Sequence, residues 1–492
     1  MDSTIRFARD LPSATAADRV RRGTLGRLAP GVYTDDVAAD PAAVVKREWH
    51  NIVGGLLPGA VVTDRSAQTS GPVNGHLYLA HPARERAIAL PGLTVLARRG
   101  VGPLTGDIPL PGGLFLASKG RALAENARPT RARAGREPRG LTTTELADWV
   151  DRLCRLDGPD RLLRYRGDAE TFAPTLALSA AALGRLGQLI GAALGTQNDV
   201  SNSPALAARR GGNPYDPDRV RRFSLLADAL KLTAPQNIPV DESRSRYRYL
   251  PFYEAYFSNY IEGTEFELDE AIRLVYDGLI PARRTQDAHD LLGTYRVVSD
   301  HLEMADTATT ATDYVRLIKH RHAEIMAGRP EMAPGQFKDT ANQAGNTLFV
   351  LPGLVAGTLR AGFDRVAELD TAWERAVYAM FLVAEVHPFT DGNGRLARVM
   401  MNSELVAGRQ SRIIIATVFR DDYLGSLRRL SRADDPSAVI KALRLGQEYA
   451  ARIDFDTLEG AKRQLVVTNA FWPADADHRL VVPLAAPDPV SG

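Results

Sequence analysis

The chain has 492 residues, too many for one ordinary domain, and we expect two or three. Its apolar share of 45% and charged share of 24% are those of a soluble globular protein. The net charge of +2 does not by itself indicate nucleic acid, and no run of eighteen apolar residues predicts a membrane span. We therefore expect no membrane partner.

The single cysteine, Cys154, excludes an internal disulfide and fits a reducing compartment. Residues 1–10 are charged and lack the apolar core of a secretory signal. Together these features predict a cytoplasmic protein.

The first third of the chain is rich in predicted strands. Between Gly54 and Ser118, short Val, Leu and Ile runs are broken by Gly and Pro, which indicates strands and an α+β domain over residues 1–125. Residues 127–136 are basic and have no apolar periodicity, so we interpret 126–180 as a basic linker and connecting segment. Such basic patches are usually solvated faces, and contact with DNA is the alternative.

From Leu176 onward the pattern becomes helical, so the fold class is mainly α. The predicted helices cover 178–194, 220–232, 253–261, 313–326 and 373–386. Two apolar arms around Gln343-Ala344-Gly345-Asn346 predict a β-hairpin, and 451–492 reads as a C-terminal tail. His320 and His322 point to different faces of a helix, so we interpret them as surface residues rather than metal ligands.

The run His387-Pro-Phe-Thr-Asp-Gly-Asn-Gly-Arg-Leu-Ala-Arg398 carries the most chemistry. It combines a base that works near neutral pH, a carboxylate suited to a divalent cation, and glycines that leave backbone N–H groups bare. Gly392-Asn393-Gly394 would open a helix, whose N-terminus binds anions, and Arg395 and Arg398 share one face of it. Such a site can hold a nucleoside triphosphate and transfer part of it to a hydroxyl group.

This run resembles the signature of the Fic family, HxFx(D/E)GNGRxxR, at every specified position. The resemblance covers residues 181–450 and implies an all-helical Fic domain with a β-hairpin flap. It also implies a protein adenylyltransferase, which moves AMP from ATP to a Ser, Thr or Tyr hydroxyl of a target protein, and of itself, and releases pyrophosphate.

The resemblance implies a role for each matching position. His387 is the catalytic base, and Asp391 holds Mg²⁺ between the α- and β-phosphates. Phe349, Lys338 and Asn346 belong to a flap that binds the target protein, with a plain surface hairpin as the alternative. The residues implied to bind ATP are Gly392, Asn393, Gly394, Arg395, Arg398 and Tyr423. For Tyr423, which would lie against the adenine, simple packing is the alternative.

A second segment, Ser258-Asn-Tyr-Ile-Glu262-Gly263, resembles the family's inhibitory motif (S/T)xxxE(G/N). Ser258 and Glu262 are four residues apart and therefore share a helical face, and Gly263 ends the helix, which we place near 253–263. Glu262 would form a bidentate ion pair with Arg398 and keep it from the γ-phosphate. A surface glutamate near a helix end is the alternative.

Residues 23–33 and 58–67 resemble the winged-helix domain of AbiEi-like antitoxins and related regulators. This resemblance, over residues 5–120, implies a smaller, winged-helix-like α+β domain and a link to toxin–antitoxin systems. Only about twenty residues precede the wing, fewer than the usual set of helices. A module that positions partners is therefore as well supported as a DNA-binding one.

Several alternatives stay open from the sequence. Within the family's chemistry they are removal of AMP and transfer of UMP or phosphate. From a different class comes a DNA-binding regulator that acts through the N-terminal domain. ATP and an unknown target protein are the expected partners, and a homo-oligomer is left open.

Overall fold

A computed structural model describes residues 4–11, 13–131, 138–197, 202–240, 245–281 and 283–483. The chain divides into two compact units, residues 1–212 and 213–492. The first mixes sheets with helices and the second is almost entirely helical, which confirms the mainly-α fold class with an α+β N-terminal part. In the described part of the chain, every helix is too short or too polar to cross a membrane.

The first unit is built on two sheets. A three-stranded antiparallel sheet has the order β1-β3-β2, and a mixed six-stranded sheet has the order β6-β7-β5-β4-β9-β8. The strands are β1 (Ile5–Phe7), β2 (Gly26–Ala29), β3 (Val32–Thr34), β4 (Val61–Val62), β5 (His76–His81), β6 (Arg86–Leu90), β7 (Leu93–Arg99), β8 (Ile108–Leu110) and β9 (Leu114–Leu116). The strands predicted between residues 54 and 118 are therefore confirmed. The winged-helix resemblance stays a prediction.

Eight helices are described in the first unit. They are α1 (Ser13–Arg21), α2 (Pro41–Leu56), α3 (Asp64–Thr69), α4 (Lys119–Asn126), α5 (Thr143–Asp157), α6 (Pro159–Phe172), α7 (Ala180–Ala193) and α8 (Pro204–Arg210). Helix α2 packs on the sheets, and α4 to α8 share a second apolar core.

The segment predicted as a linker, 126–180, is mostly helical, because α5 and α6 lie within it. Thr142 and Glu145 form a capping box at the start of α5: each side chain accepts a hydrogen bond from the backbone N–H of the other residue. Trp149 and Leu153 then bury the apolar face of that helix. The basic residues Arg133 and Arg136 lie outside the described residues.

The second unit contains the helices that matter for the site. They are α9 (Pro217–Leu232), α10 (Leu250–Ile261), α11 (Leu268–Tyr276), α12 (Thr285–Ser299), α13 (His301–Ala305), α14 (Ala311–Ile325), α15 (Val355–Phe363), α16 (Ala372–Val386), α17 (Asn393–Ala407), α18 (Arg420–Ala433), α19 (Ser437–Ala451) and α20 (Leu458–Val467). Helices α16 and α17 pack closely against each other in its single large core, and α10, α12 and α14 contact α17. A hairpin of β10 (Gln343–Ala344) and β11 (Thr347–Leu348) confirms the predicted one.

Two predicted boundaries differ from the structure. The helical domain was expected from residue 181, but α7 and α8 pack in the core of the first unit, so the second unit begins at Asn213. The predicted tail, 451–492, includes α20, whose Ala461 and Leu465 are fully buried in the core of the second unit. Apolar side chains at helical spacing explain both differences.

Candidate active site

The candidate site lies where α16 ends and α17 begins. Thr371 and Glu374 form a capping box at the start of α16, and most side chains of that helix are buried. Helix α16 ends at Val386 and is capped by His387, whose φ of +52° is uncommon for a residue other than glycine. Gly392, with a φ of +72°, caps the start of α17. The signature loop is thus fixed at both ends, and His387 carries a backbone conformation of the kind found at functional sites.

The His387 imidazole stacks on the Phe349 ring, with 3.8 Å between the ring centroids and 7° between the planes. Its Nδ1 lies 3.4 Å from the carbonyl oxygen of Ala384, which can only accept a hydrogen bond. The proton therefore belongs on Nδ1, and Nε2 keeps its lone pair. Burial lowers the pKa of His387 to about 4, so the ring is neutral at pH 7 and can take up a proton.

Lys338 holds the loop from inside the protein. Its Nζ donates to the carbonyl oxygen of His387 at 2.8 Å and to Oδ1 of Asn342 at 2.6 Å. Burial, aided by the charge of Arg219, lowers the pKa of Lys338 to about 8. Lys338 as a whole is 4% exposed, so it does not face a docked target. This corrects the prediction that Lys338 is a target-binding residue: its ammonium supports the loop.

Phe389 and Asn393 fix the middle of the loop. The Phe389 side chain is fully buried. The Asn393 side-chain amide accepts a hydrogen bond from the backbone N–H of Phe389 at 2.9 Å and donates one to the carbonyl oxygen of Phe389 at 2.8 Å. The Asn393 side chain is therefore occupied within the loop, and only its backbone N–H is free to meet an anion. The predicted anion site is then made of first-turn N–H groups of α17.

His322 of α14 contacts the same loop from below Phe389. Its ring stacks on the Phe389 ring with 3.7 Å between centroids and 4° between planes. Nδ1 accepts from the backbone N–H of Gly335 at 2.9 Å, and Nε2 lies 3.0 Å from the carbonyl oxygen of Asp391. Burial lowers the pKa of His322 to about 4. The prediction that His322 is a surface residue is wrong, since it is fully buried.

Asp391 carries the carboxylate predicted to hold a metal ion. Its Oδ1 accepts from the N–H of Gly392 at 2.7 Å, and its side chain is 42% exposed. Among the described residues, no group of three or more His, Cys, Asp or Glu side chains could hold a metal. Mg²⁺ commonly binds through one carboxylate, with water and substrate phosphates as the other ligands, so Asp391 fits that ion.

Arg395 does not point to the cavity that Arg398 lines. Its side chain is 2% exposed, and its Nη1 lies 2.9 Å from Oδ2 of the equally buried Asp290. Arg329 contacts the same Oδ2 at 2.5 Å. Nη2 of Arg395 and Nη1 of Arg329 lie 3.7 Å and 3.9 Å from Oδ2 of Asp391. The expectation that Arg395 and Arg398 turn to the same polyphosphate is therefore corrected: Asp290 holds Arg395 behind Asp391.

Arg398 is bound by the segment predicted to inhibit it. Its Nη2 lies 2.7 Å from Oε1 of Glu262 and 2.7 Å from the carbonyl oxygen of Ser258. Its Nε donates to the Ser258 hydroxyl at 2.9 Å. The predicted bidentate ion pair is thus replaced by a single contact to Glu262, because Ser258 occupies Nε and shares Nη2 with Glu262.

The Glu262 carboxylate also lies against Gly394 in the first turn of α17. A Cβ built on Gly394 would overlap the carboxylate. The preceding helix, α10, ends at Ile261, and Gly263 follows with a φ of +88°, which glycine adopts without strain. Glu262 thus places negative charge at a helix N-terminus, where anions are stabilised.

A cavity of about 260 Å³ collects these groups. His387, Gly394, Arg398 and Glu262 line it, and Phe381, Leu424 and Leu427 add apolar wall. Tyr423 also lines it; its hydroxyl lies 3.4 Å from Sδ of Met380, and burial raises the pKa of this phenol. The cavity therefore joins a neutral base, an anion site and a cation to a surface suited to a flat ring.

The hairpin forms one rim of the cavity. Ala344 and Thr347, which pair across the two strands, and Phe349, which follows them, all line it. Asn346 is exposed at the turn, beside Gly345 with its φ of +55°. The Thr347 hydroxyl accepts from Nη2 of Arg432 at 2.8 Å, which ties the hairpin to α18.

Sequence analysis missed three residues that complete the site: His322, Asp290 and Arg329. Of these, only His322 lies in a sequence pattern that indicates burial. In α14, Tyr314, Leu317, Ile318 and Ile325 follow the spacing of a buried helical face, and position 322 falls on that face. Asp290 and Arg329 gave no comparable signal, because Asp290 pairs with Arg329 and Arg395 only in the folded chain.

Residues 312–405 match the model of the Fic/DOC family, so this part of the chain is a Fic domain. The chain is 23% identical over 245 residues to protein adenylyltransferase fic-1 of Caenorhabditis briggsae, a stretch that covers 48% of each chain. It is 24% identical over 191 residues to protein adenylyltransferase Fic of Nematostella vectensis, or 37% of this chain and 44% of that one. The chain thus spans about half the length of the curated relatives it matches, or less.

Among solved structures, Fic-1 from Caenorhabditis elegans is similar with a TM-score of 0.37 and 17% identity. That similarity covers 63% of this chain and 87% of the other.

Proposed function

We propose that the chain is a self-inhibited protein adenylyltransferase, which transfers AMP from ATP to a hydroxyl group of a target protein, and of itself, and releases pyrophosphate. One observation carries the proposal: His387, the start of α17 and Arg398 line a single cavity, and Glu262 occupies Arg398 there. Transfer from a nucleoside triphosphate to a hydroxyl group requires these three features: a base, an anion site and a cation.

In the proposed reaction, the hydroxyl oxygen of the target attacks the α-phosphorus of ATP. The hydroxyl proton moves to Nε2 of His387, whose lone pair is free because Nδ1 faces the Ala384 carbonyl. The bond between the α-phosphorus and the bridging oxygen breaks, and pyrophosphate leaves. Backbone N–H groups in the first turn of α17 would bind the phosphate oxygens as charge builds up on them.

Asp391 would hold Mg²⁺, which supplies positive charge to the phosphates. Asp290 keeps Arg395 and Arg329 within 4 Å of the Asp391 carboxylate, so two guanidinium groups and two carboxylates surround the proposed metal position. This arrangement supports a site for a polyphosphate with its metal ion.

In this structure Arg398 is committed to Glu262 and Ser258. The γ-phosphate of ATP could not pair with Arg398, and the Glu262 carboxylate would repel it at the start of α17. ATP would therefore bind with its α-phosphate misaligned for attack, and an orientation error can cost about 100-fold in rate. We infer that Glu262 must move before transfer occurs.

The remaining contacts follow from the cavity walls. Tyr423 and the apolar side chains of α18 would contact the nucleoside. The hairpin, with Asn346 at its turn and Phe349 beside His387, would bind the target main chain as an added strand.

Removal of AMP from a modified protein is the second candidate. It is favoured by the position of Glu262, whose side chain is 32% exposed and lines the same cavity as His387. A carboxylate there could orient a water molecule for attack on the phosphorus.

The proposal is tested with the full-length Glu262→Gly variant, incubated with ATP and Mg²⁺ and weighed by mass spectrometry. We expect self-modification by one adenylyl unit, about 100-fold faster than in the wild type. Glu265→Gly is the matched control, because Glu265 is exposed, three residues away and outside the cavity. An unchanged mass in Glu262→Gly, or equal rates in both variants, would overturn the proposal.

A further inference from the structure

His322 forms two hydrogen bonds that fix its protonation and its orientation. Nδ1 accepts from the N–H of Gly335, so this nitrogen carries no proton. The proton therefore lies on Nε2, which donates to the carbonyl oxygen of Asp391 at 3.0 Å. The ring is neutral, and both nitrogens are occupied, so His322 is not itself free to bind a metal.

The Phe389 ring prevents His322 from rotating out of this plane. The two rings are almost parallel, with 4° between the planes, and both side chains are fully buried. A Cβ on Gly392 would lie 3.4 Å from Nε2 of His322 and 2.7 Å from Sδ of Met326. The backbone on the C-terminal side of Asp391 is therefore packed against Met326 and, slightly farther away, His322.

The Asp391 carboxylate has little else to hold it. Its hydrogen bond in the described structure comes from the neighbouring Gly392 N–H, and the two arginines near Oδ2 are 3.7 Å and 3.9 Å away. The shortest contact of this carboxylate is therefore the one to the backbone, at residue 392. His322 bonds the backbone at this position, through the carbonyl oxygen of Asp391.

We propose that His322 is a positioning residue, which aims the Asp391 carboxylate through its backbone so that it can receive Mg²⁺ with the nucleotide. This inference rests on the proposed function and deepens it. Groups that orient a metal ligand from behind typically change metal affinity by about 10- to 100-fold when they are removed.

The two hydrogen bonds of His322 determine which segments of the chain it joins. A core position needs only a side chain of suitable shape, whereas a buried imidazole must have both nitrogens bonded to offset the loss of water. His322 meets this requirement through Gly335, which precedes Lys338, and through Asp391 in the signature loop. It therefore joins the segment under the hairpin to the loop that carries the proposed metal ligand.

The test compares three substitutions in the full-length Glu262→Gly background. His322→Phe keeps the stacked ring and removes both hydrogen bonds. His322→Gln restores one donor and one acceptor. His320→Phe is the matched control, because His320 lies on the same helix with a side chain that is 52% exposed.

Two readouts are measured: the dissociation constant of ATP by calorimetry, with Mg²⁺ and with a chelator, and the Mg²⁺ concentration for half-maximal transfer. For His322→Phe we expect the Mg²⁺ requirement to rise about 10-fold and metal-free ATP binding to stay the same. His322→Gln should recover part of the loss, and His320→Phe should change neither readout.

The proposal is overturned if His322→Phe folds and has an unchanged Mg²⁺ requirement. It is also overturned if ATP binding weakens equally with and without Mg²⁺, since that is the result of general damage to the site. If His322→Phe does not fold, His322→Gln is judged by the same criteria. Calorimetry needs no transfer, so a failure of the adenylyltransferase proposal would be recognised separately.

Discussion

Two stacked pairs, each of one histidine and one phenylalanine, contact the signature loop and are used in different ways. His387 stacks on Phe349 and His322 stacks on Phe389, with nearly equal distances and angles. Burial lowers both pKa values to about 4. The difference lies in the nitrogens: both are bonded in His322, whereas Nε2 of His387 has no hydrogen-bond partner among the described residues.

This contrast separates a reacting group from a supporting one. Burial and a neutral ring do not distinguish the two histidines, since both have these properties. A histidine with one free lone pair at a cavity can take a proton from a substrate, while one with two bonded nitrogens can only hold its neighbours. The free lone pair on Nε2 therefore identifies His387 as the candidate base.

The largest effect should follow removal of the free nitrogen. His387→Ala in the Glu262→Gly background should lower the transfer rate about 1000-fold, because a general base acts in the chemical step. ATP binding and the Mg²⁺ requirement should stay within about threefold of the parent, as judged by calorimetry. Loss of Mg²⁺-dependent ATP binding, the result expected for His322, would contradict the division between the two rings.

The stacking partners should differ in their effect on stability. Phe389 is fully buried, so Phe389→Ala should lower the free energy of unfolding of the second unit by about 3–5 kcal/mol. Phe349 is only partly buried, and Phe349→Ala should cost about 1 kcal/mol. Urea denaturation of both variants measures the difference. Equal losses would show that the two stacks serve the same purpose.

The smallest effect concerns pH. Phe349→Ala would let water reach His387 and raise its pKa from about 4 toward the ordinary value of about 6.5. Transfer needs the neutral ring, so the rate falls as pH drops through this pKa. At pH 5.5 the Glu262→Gly parent should keep nearly its full rate, and the double variant should keep about a tenth of its own rate at pH 8.

Lys338, which lowers the pKa of His387, and Asp391, which raises it, are present in both variants, so the comparison isolates the ring. Glu262 also raises this pKa and is absent from both. Coinciding pH profiles would show that Phe349 does not control solvent access to the base.

Local patterns were enough to predict the frame of the site. The apolar run before His387 and the glycines after Asp391 predicted two helices joined by a loop, and the structure has α16 and α17 there. The four-residue spacing of Ser258 and Glu262 predicted one helical face, and both side chains contact Arg398. These features depend on residues close together in the sequence.

The pairing of charges could not be predicted in the same way. Arg395 looks equivalent to Arg398 in the sequence, but it pairs with Asp290, more than a hundred residues earlier, and only folding brings the two together. Ser258 takes the Nε edge of Arg398 and leaves one contact for Glu262, a choice that depends on side-chain geometry. Lys338 is buried for a similar reason, because its ammonium finds carbonyl and amide oxygens inside the loop.

Because Gly394 has no side chain, the Glu262 carboxylate occupies the same small space at the start of α17 that a bound phosphate would need. Any larger residue at position 394 would displace the Glu262 carboxylate. Its side chain would then itself occupy the phosphate position at the start of α17. A substitution of Gly394 therefore cannot remove the inhibitory contact of Glu262 without also blocking the phosphate position. Under the proposed function, we therefore expect constitutively active variants to carry changes in α10 or at Glu262, and not in the signature loop.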